Sequence, residues 1–188
     1  VQMNLTNGGA AFYAGIDCGD GLSASRCSIS GANGPNGYAV SAGDRSLMES
    51  SSIFNCNAGV AIGSYATVRN CTVKNCSGGY GVSAGSTSIL RNNLVDGCKD
   101  GMDFRGPCEV SQNTCQDSTG NGFNISGNYS RIEDNQAVGN AFFGFICQGL
   151  TTNNVIVRNV ARGNSSGNFV INATDALGAI INTSGTIT

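Results

Sequence analysis

Histidine and tryptophan are absent from these 188 residues, and proline occurs only at 35 and 107. Without histidine there is no Ser-His-Asp or Cys-His catalytic arrangement and no histidine-ligated metal site. Charge is scarce. Only 12% of residues are ionised, 10 basic against 12 acidic, whereas soluble domains usually carry roughly 25%. A net charge of −2 offers no basic field to a phosphate backbone, so nucleic acid is not an expected partner. No apolar run approaches the roughly 18 residues of a membrane span. What is abundant is Gly, Asn and Ser, together 72 residues, beside a hydrophobic fraction of 40%. That is a turn-rich chain with enough apolar surface for a core, expected as one domain over residues 1–188. It starts at Val1 rather than Met, as expected of a mature form after signal removal or of an excised piece.

The organisation is periodic. Gly15, Gly37, Gly59, Gly79, Gly101, Gly122 and Gly144 recur at steps of 20 to 22, each followed three residues later by Cys18, Val40, Ile62, Val82, Phe104, Ile125 or Cys147. A second series is Ala24, Met48, Val68, Leu90, Val110, Ile132 and Ile156. Five residues after each come Ile29, Ile53, Val73, Val95, Cys115, Ala137 and Ala161. Two polar or small columns accompany them: Cys27, Ser51, Cys71, Asn93, Asn113, Asn135 and Asn159, then Cys56, Cys76, Cys98, Ser118, Asn140 and Asn164. Alternation of period two over three or four residues marks short strands, and Asn, Ser, Cys and Gly mark the turns. No stretch has a helical period.

One coil of this length cannot bury its own apolar face, but stacked copies can. The expected fold is all-β: a right-handed three-sheet parallel β-helix of about eight coils of 20–24 residues. Asn at a fixed turn should bond to the equivalent residue one coil away, forming a ladder, and the Gly column is expected at turns of positive φ. A leucine-rich repeat has a similar period, but Leu occurs only seven times and Gly-x-x-apolar supplies a further strand.

Repeats such as Tyr65–Ser86 (YATVRNCTVKNCSGGYGVSAGS) and Asn128–Leu150 (NYSRIEDNQAVGNAFFGFICQGL) resemble the right-handed parallel β-helix repeats of the pectin-lyase-like superfamily. The segment from Tyr129 to Thr188 is similar to the last coils of bacterial surface or secreted β-helix proteins without an assigned function. The resemblance implies the fold over nearly the whole chain. Hydrolases of that superfamily use several Asp and a Gly-His-Gly motif, which this chain cannot form. Its lyases use a Ca²⁺ cluster and an Arg or Lys base. The nearest set here is Lys99, Asp100, Asp103 and Arg105, with Asp96 nearby. Alternation turns Asp103 and Arg105 outward, with Gly81 and Asn124 expected beside Asp103, and Ser83 and Ser126 beside Arg105. No second carboxylate stacks on Asp103, as acid/base or Ca²⁺ chemistry would require. A solvated surface ion pair is the expected reading; no catalytic residue, metal or cofactor is expected.

The nine cysteines fall on inward or turn columns and include no Cys-x-x-Cys pair. They read as small buried free thiols. Eight Asn-x-Ser/Thr sequons occur, at Asn4, Asn70, Asn75, Asn124, Asn128, Asn164, Asn172 and Asn182. One outer strip, Ala39, Ala61 and Gly81 beside Ser41, Gly63 and Ser83, is expected to be flat and small. Near the C-terminus Ile146, Val155, Val157, Val160 and Val170 fall on outer positions, an expected interface or covered patch. Val1, Met3 and Leu5 alternate from the start, and Ile180, Ile181 and Ile187 lie in a strand-like tail. Without capping segments, such ends would pair with copies of the same chain into a filament. The expected role is an extracellular, non-enzymatic structural subunit that self-associates end to end or sideways. The alternative is a polysaccharide-binding or lyase-like β-helix using Asp103 and Arg105.

Overall fold

The computed structural model describes residues 14–34 and 37–182. Three parallel sheets of eight strands each run the length of the described chain, and no helix occurs among the described residues. Sheet A contains the first strand of each coil: Ala14–Cys18, Tyr38–Ala42, Ala58–Ile62, Tyr80–Ala84, Asp100–Phe104, Phe123–Ile125, Phe143–Cys147 and Gly167–Val170. These strands define coils one to eight. Sheets B and C take the second and third strand of each coil, mostly three residues long.

In sheet B the middle residue of each strand points inward, and the register stacks Ala24, Met48, Val68, Leu90, Val110, Ile132 and Ile156. Sheet C stacks Ile29, Ile53, Val73, Val95, Cys115, Ala137 and Ala161. Both columns match the expectation. Sheet A does not: it contains two inward columns that the Gly spacing merges into one. The first is Ile16, Val40, Val60, Val82, Met102, Phe123, Phe145 and Phe169; the second is Cys18, Ala42, Ile62, Ala84, Phe104, Ile125 and Cys147.

The glycine column slips with them. Register alignment places Ala39 and Gly81 where Gly37 and Gly79 are expected. Its role also differs. A Cβ at Gly101 would come 2.1 Å from the Gly122 carbonyl oxygen, and one at Gly59 the same distance from that of Gly81. Close approach of stacked backbones therefore requires these glycines, not positive φ. Positive φ is taken at the corners instead, mostly by non-glycine residues such as Asn70 (56°), Asn92 (54°) and Tyr65 (56°).

Each of the three corners holds a polar ladder. Between sheets B and C, Asn113 N–H donates to Asn135 Oδ1 at 2.9 Å and Asn135 N–H to Asn159 Oδ1 at 2.9 Å. The Asn135 amide NH₂ donates to the Val110 carbonyl at 2.8 Å. Between sheets C and A, Asn140 N–H donates to Asn164 Oδ1 at 3.0 Å. A third ladder, not expected, lies between sheets A and B: Cys108 N–H donates to Ser130 Oγ and Ser130 N–H to Asn154 Oδ1, at 3.2 and 2.8 Å. Buried turn backbone is thus paired from one coil to the next, which removes the desolvation penalty of a tight corner.

All nine cysteines are free, and eight are buried. Cys18 corrects the expectation of burial: it is exposed, on the first described strand, which pairs on one side only among the described residues.

Candidate binding face

The outer surface of sheet A changes character along the axis. One outward column runs Ser41, Ala61, Ser83, Asp103, Asn124, Ile146 and Val170. Ser41 and Ala61 keep the small side chains expected of the strip. Ala39 and Gly81 leave it: Ala39 is fully buried, and a Cβ at Gly81 would meet Val95 Cγ1 at 2.2 Å. Simple alternation fails at this bend: a Cβ at Gly81 would also stand 3.3 Å from Cys98 Sγ, so the position faces the inside of the corner between sheets C and A.

Coils four to six carry the polar part. Asp103 lies between Ser83 and Asn124 in the register, so Ser83, not Gly81, is its neighbour. Ser126 Oγ donates to Asp103 Oδ1 at 2.5 Å, and Arg105 Nε stands 3.4 Å from Oδ2. Arg105 is exposed, but Asp103 is only 2% exposed. The pair is therefore not the solvated ion pair expected. The carboxylate is sunk on an outer face because neighbouring polar side chains close over it. Asn124, also buried, accepts from Asn121 and Gln148 amides at 3.0 and 2.9 Å. Asp100 Oδ1 accepts from Asn121 N–H at 2.9 Å. Burial, and then the Asp103 and Asp100 carboxylates, raise the Tyr80 phenol above its ordinary pKa.

This set offers hydrogen-bond acceptors and amide donors to a polar ligand. Stacked carboxylates for acid/base work are not part of it, since both register neighbours of Asp103 are uncharged. Among the described residues no group of three or more Cys, Asp or Glu converges as metal ligands. Ser126, expected beside Arg105, bonds to Asp103 instead. Tyr80, Asn121 and Gln148 escape sequence reasoning; the corrected sheet A register is the signal that would bring out the first two.

Coils seven and eight end the face with apolar residues. Ile146 pairs with Val170, and Phe143 pairs with Gly167 and lies over it. The rest of the expected apolar patch is divided among other faces. Val155 and Val157 stand on sheet B, where Val157 meets the backbone of Gly178. Val160 pairs with Ile181 on sheet C; Ile181 is exposed, while Ile180 packs on the core. Three strands per coil turn successive outward residues to three sides, so nearness in sequence does not make one surface here. Val1, Met3, Leu5 and Ile187 lie outside the described residues. Two sequons, Asn124 and Asn164, are buried and closed to a glycan.

A protein-family model described as "Right handed beta helix region" matches residues 13–161. No curated protein and no solved structure matches the chain significantly.

Proposed function

Because the chain belongs to the right-handed β-helix family, we propose that it acts as a non-catalytic, extracellular structural subunit that associates side by side with copies of itself through the outer face of sheet A. The observation that carries this reading is the pairing of Ile146 with Val170 on the outer face of sheet A, with Phe143 three residues earlier on the same strand. An apolar cluster on a flat parallel sheet suits a partner of the same shape. Small Ser41 and Ala61 farther along the same sheet allow close approach. The end-to-end form of the association depends largely on residues outside those described and is not part of the reading.

Sedimentation velocity tests it, comparing the wild type with Ile146→Lys and Val170→Lys. The wild type should associate with rising concentration, while both variants stay near the 19.1 kDa monomer. A wild type that remains monomeric at millimolar concentration contradicts the proposal.

A second reading has its own observation. The sunk Asp103 carboxylate, with Arg105, Asn121, Asn124 and Gln148 around it, suits hydroxyl-rich ligands, and a polysaccharide is the proposed class. Loss of binding in Asp103→Asn, with the melting temperature retained, would support it.

A further inference from the structure

Sheet B carries an outer groove on a different side of the solenoid from Asp103. One part, about 350 Å³, is lined by Arg69, Arg91, Gln112, Glu109, Glu133 and Asp134 among others. It is continuous through Ile89 and Glu109 with a second part of about 390 Å³, bordered by Pro107, Tyr129 and Arg131. One part is charged and the other is rimmed by an exposed aromatic ring, Tyr129 being 67% exposed.

Most of the charges are already neutralised. Arg69 holds Glu49 at 2.7 Å, Arg131 holds Glu133 at 2.6 Å, and Arg158 holds Asp134 at 2.8 Å. Two groups are left: among the described residues neither Arg91 nor Glu109 forms an ion pair. Arg91 Nε reaches only the neutral Gln112 Oε1, at 3.1 Å. Arg91 also stands directly opposite Arg69 in the sheet register. Like charges in that position repel, and an anion placed against them would relieve the repulsion.

We propose that this groove binds a sugar residue bearing one anionic group. The anion lies against Arg91 with Arg69 beside it, Glu109 accepts hydroxyl protons, and the sugar ring packs on Tyr129 and Ile89. A hydroxyl-rich ring fits because the lining pairs a free acceptor and a neutral amide with an aromatic face. A polyphosphate does not fit, since among the described residues Arg91 is the one cation of the lining outside an ion pair and the unpaired Glu109 would repel a dense run of negative charge. Carboxylate and sulfate share the required chemistry. The proposal is independent of both readings of sheet A.

Calorimetry with the full chain tests it, using a tetrauronate, a sulfated tetrasaccharide and a neutral glucose tetrasaccharide. One or both acidic probes should bind roughly tenfold or more tightly than the neutral one, and the preferred probe identifies the group. Arg91→Gln should weaken that binding about tenfold and Tyr129→Ala severalfold, while Arg162→Gln, at an exposed position on sheet C, leaves it unchanged. Arg91 is exposed, so an unchanged melting temperature will show that the variant folds. Equal affinity for the neutral probe, no binding at millimolar concentration, or loss in Arg162→Gln with retention in Arg91→Gln would each overturn the assignment.

Discussion

Coils two to four and coils six to eight build the same cross-section from different parts. In the lower coils sheet A contributes Val40, Val60 and Val82, facing Ile53, Val73 and Val95 of sheet C. In the upper coils sheet A contributes Phe123, Phe145 and Phe169, stacked with centroids 4.6 and 5.1 Å apart, and sheet C shrinks to Ala137 and Ala161. Volume gained on one wall is given up on the other, as close packing demands.

The corner between sheets C and A changes in parallel. Cys56, Cys76 and Cys98 fill it below, and Asn140 and Asn164 above. The thiols donate only long bonds to carbonyls two residues back, 3.4, 3.6 and 3.7 Å. The asparagines pair backbone groups of adjacent coils. The lower half therefore relies on apolar filling, the upper half on stacked rings and amides.

Breaking the upper half should have the largest effects. Phe145→Ala leaves a void between two rings and should destabilise by about 3–5 kcal/mol, read by thermal or denaturant unfolding. Asn135→Ala orphans the Asn113 N–H and removes the side-chain bond to the Val110 carbonyl. At roughly 1–3 kcal/mol for a buried group left unpaired and about 1 kcal/mol for the other bond, a loss of about 3 kcal/mol is expected. Cys71 occupies the same column two coils before Asn113. There, Cys71→Ala removes a small, weakly bonded thiol and should cost only about 1 kcal/mol. If the two corner variants lose equal stability, the contrast fails.

Alkaline pH sharpens the comparison more gently. Burial raises the Cys71, Cys108 and Cys115 thiols above their ordinary pKa, and burial followed by the nearby Asp175 carboxylate pushes Cys147 up to about 12. A thiol kept neutral by the fold favours folding only while the unfolded thiol is also neutral. Its contribution is complete below about pH 9 and declines as pH rises towards about 12. The melting temperature should be level near neutrality and fall above pH 9. Replacing these thiols by Ala should flatten the fall; an unchanged slope would remove them as its cause.

Much of this plan is legible in the sequence. Val68, Val110 and Ile132, or Ile29 and Val73, stand alone between polar neighbours, so burial can follow only one register. Sheet A gives less contrast. Gly37 and Ala39, like Gly79 and Gly81, are small residues two apart, and spacing alone cannot choose between them. That ambiguity displaces the outer face and hides the neighbours of Asp103. The Ser46, Ser88 and Ser130 ladder is obscured by composition, because Ser is common at every turn. The C-terminal apolar residues were legible as outward but not as lying on three separate faces, since that depends on where each corner turns.

Amide hydrogen exchange at the corner between sheets C and A tests the contrast most directly. The Ser118 and Asn140 amides donate to Asn140 Oδ1 and Asn164 Oδ1 at 3.1 and 3.0 Å, whereas Cys56 and Cys76 occupy the same column with a neighbouring thiol in place of that oxygen. The Ser118 and Asn140 amides should exchange at least about tenfold more slowly than those of Cys56 and Cys76. Equal protection along the column, or slower exchange at the thiol coils, would contradict it.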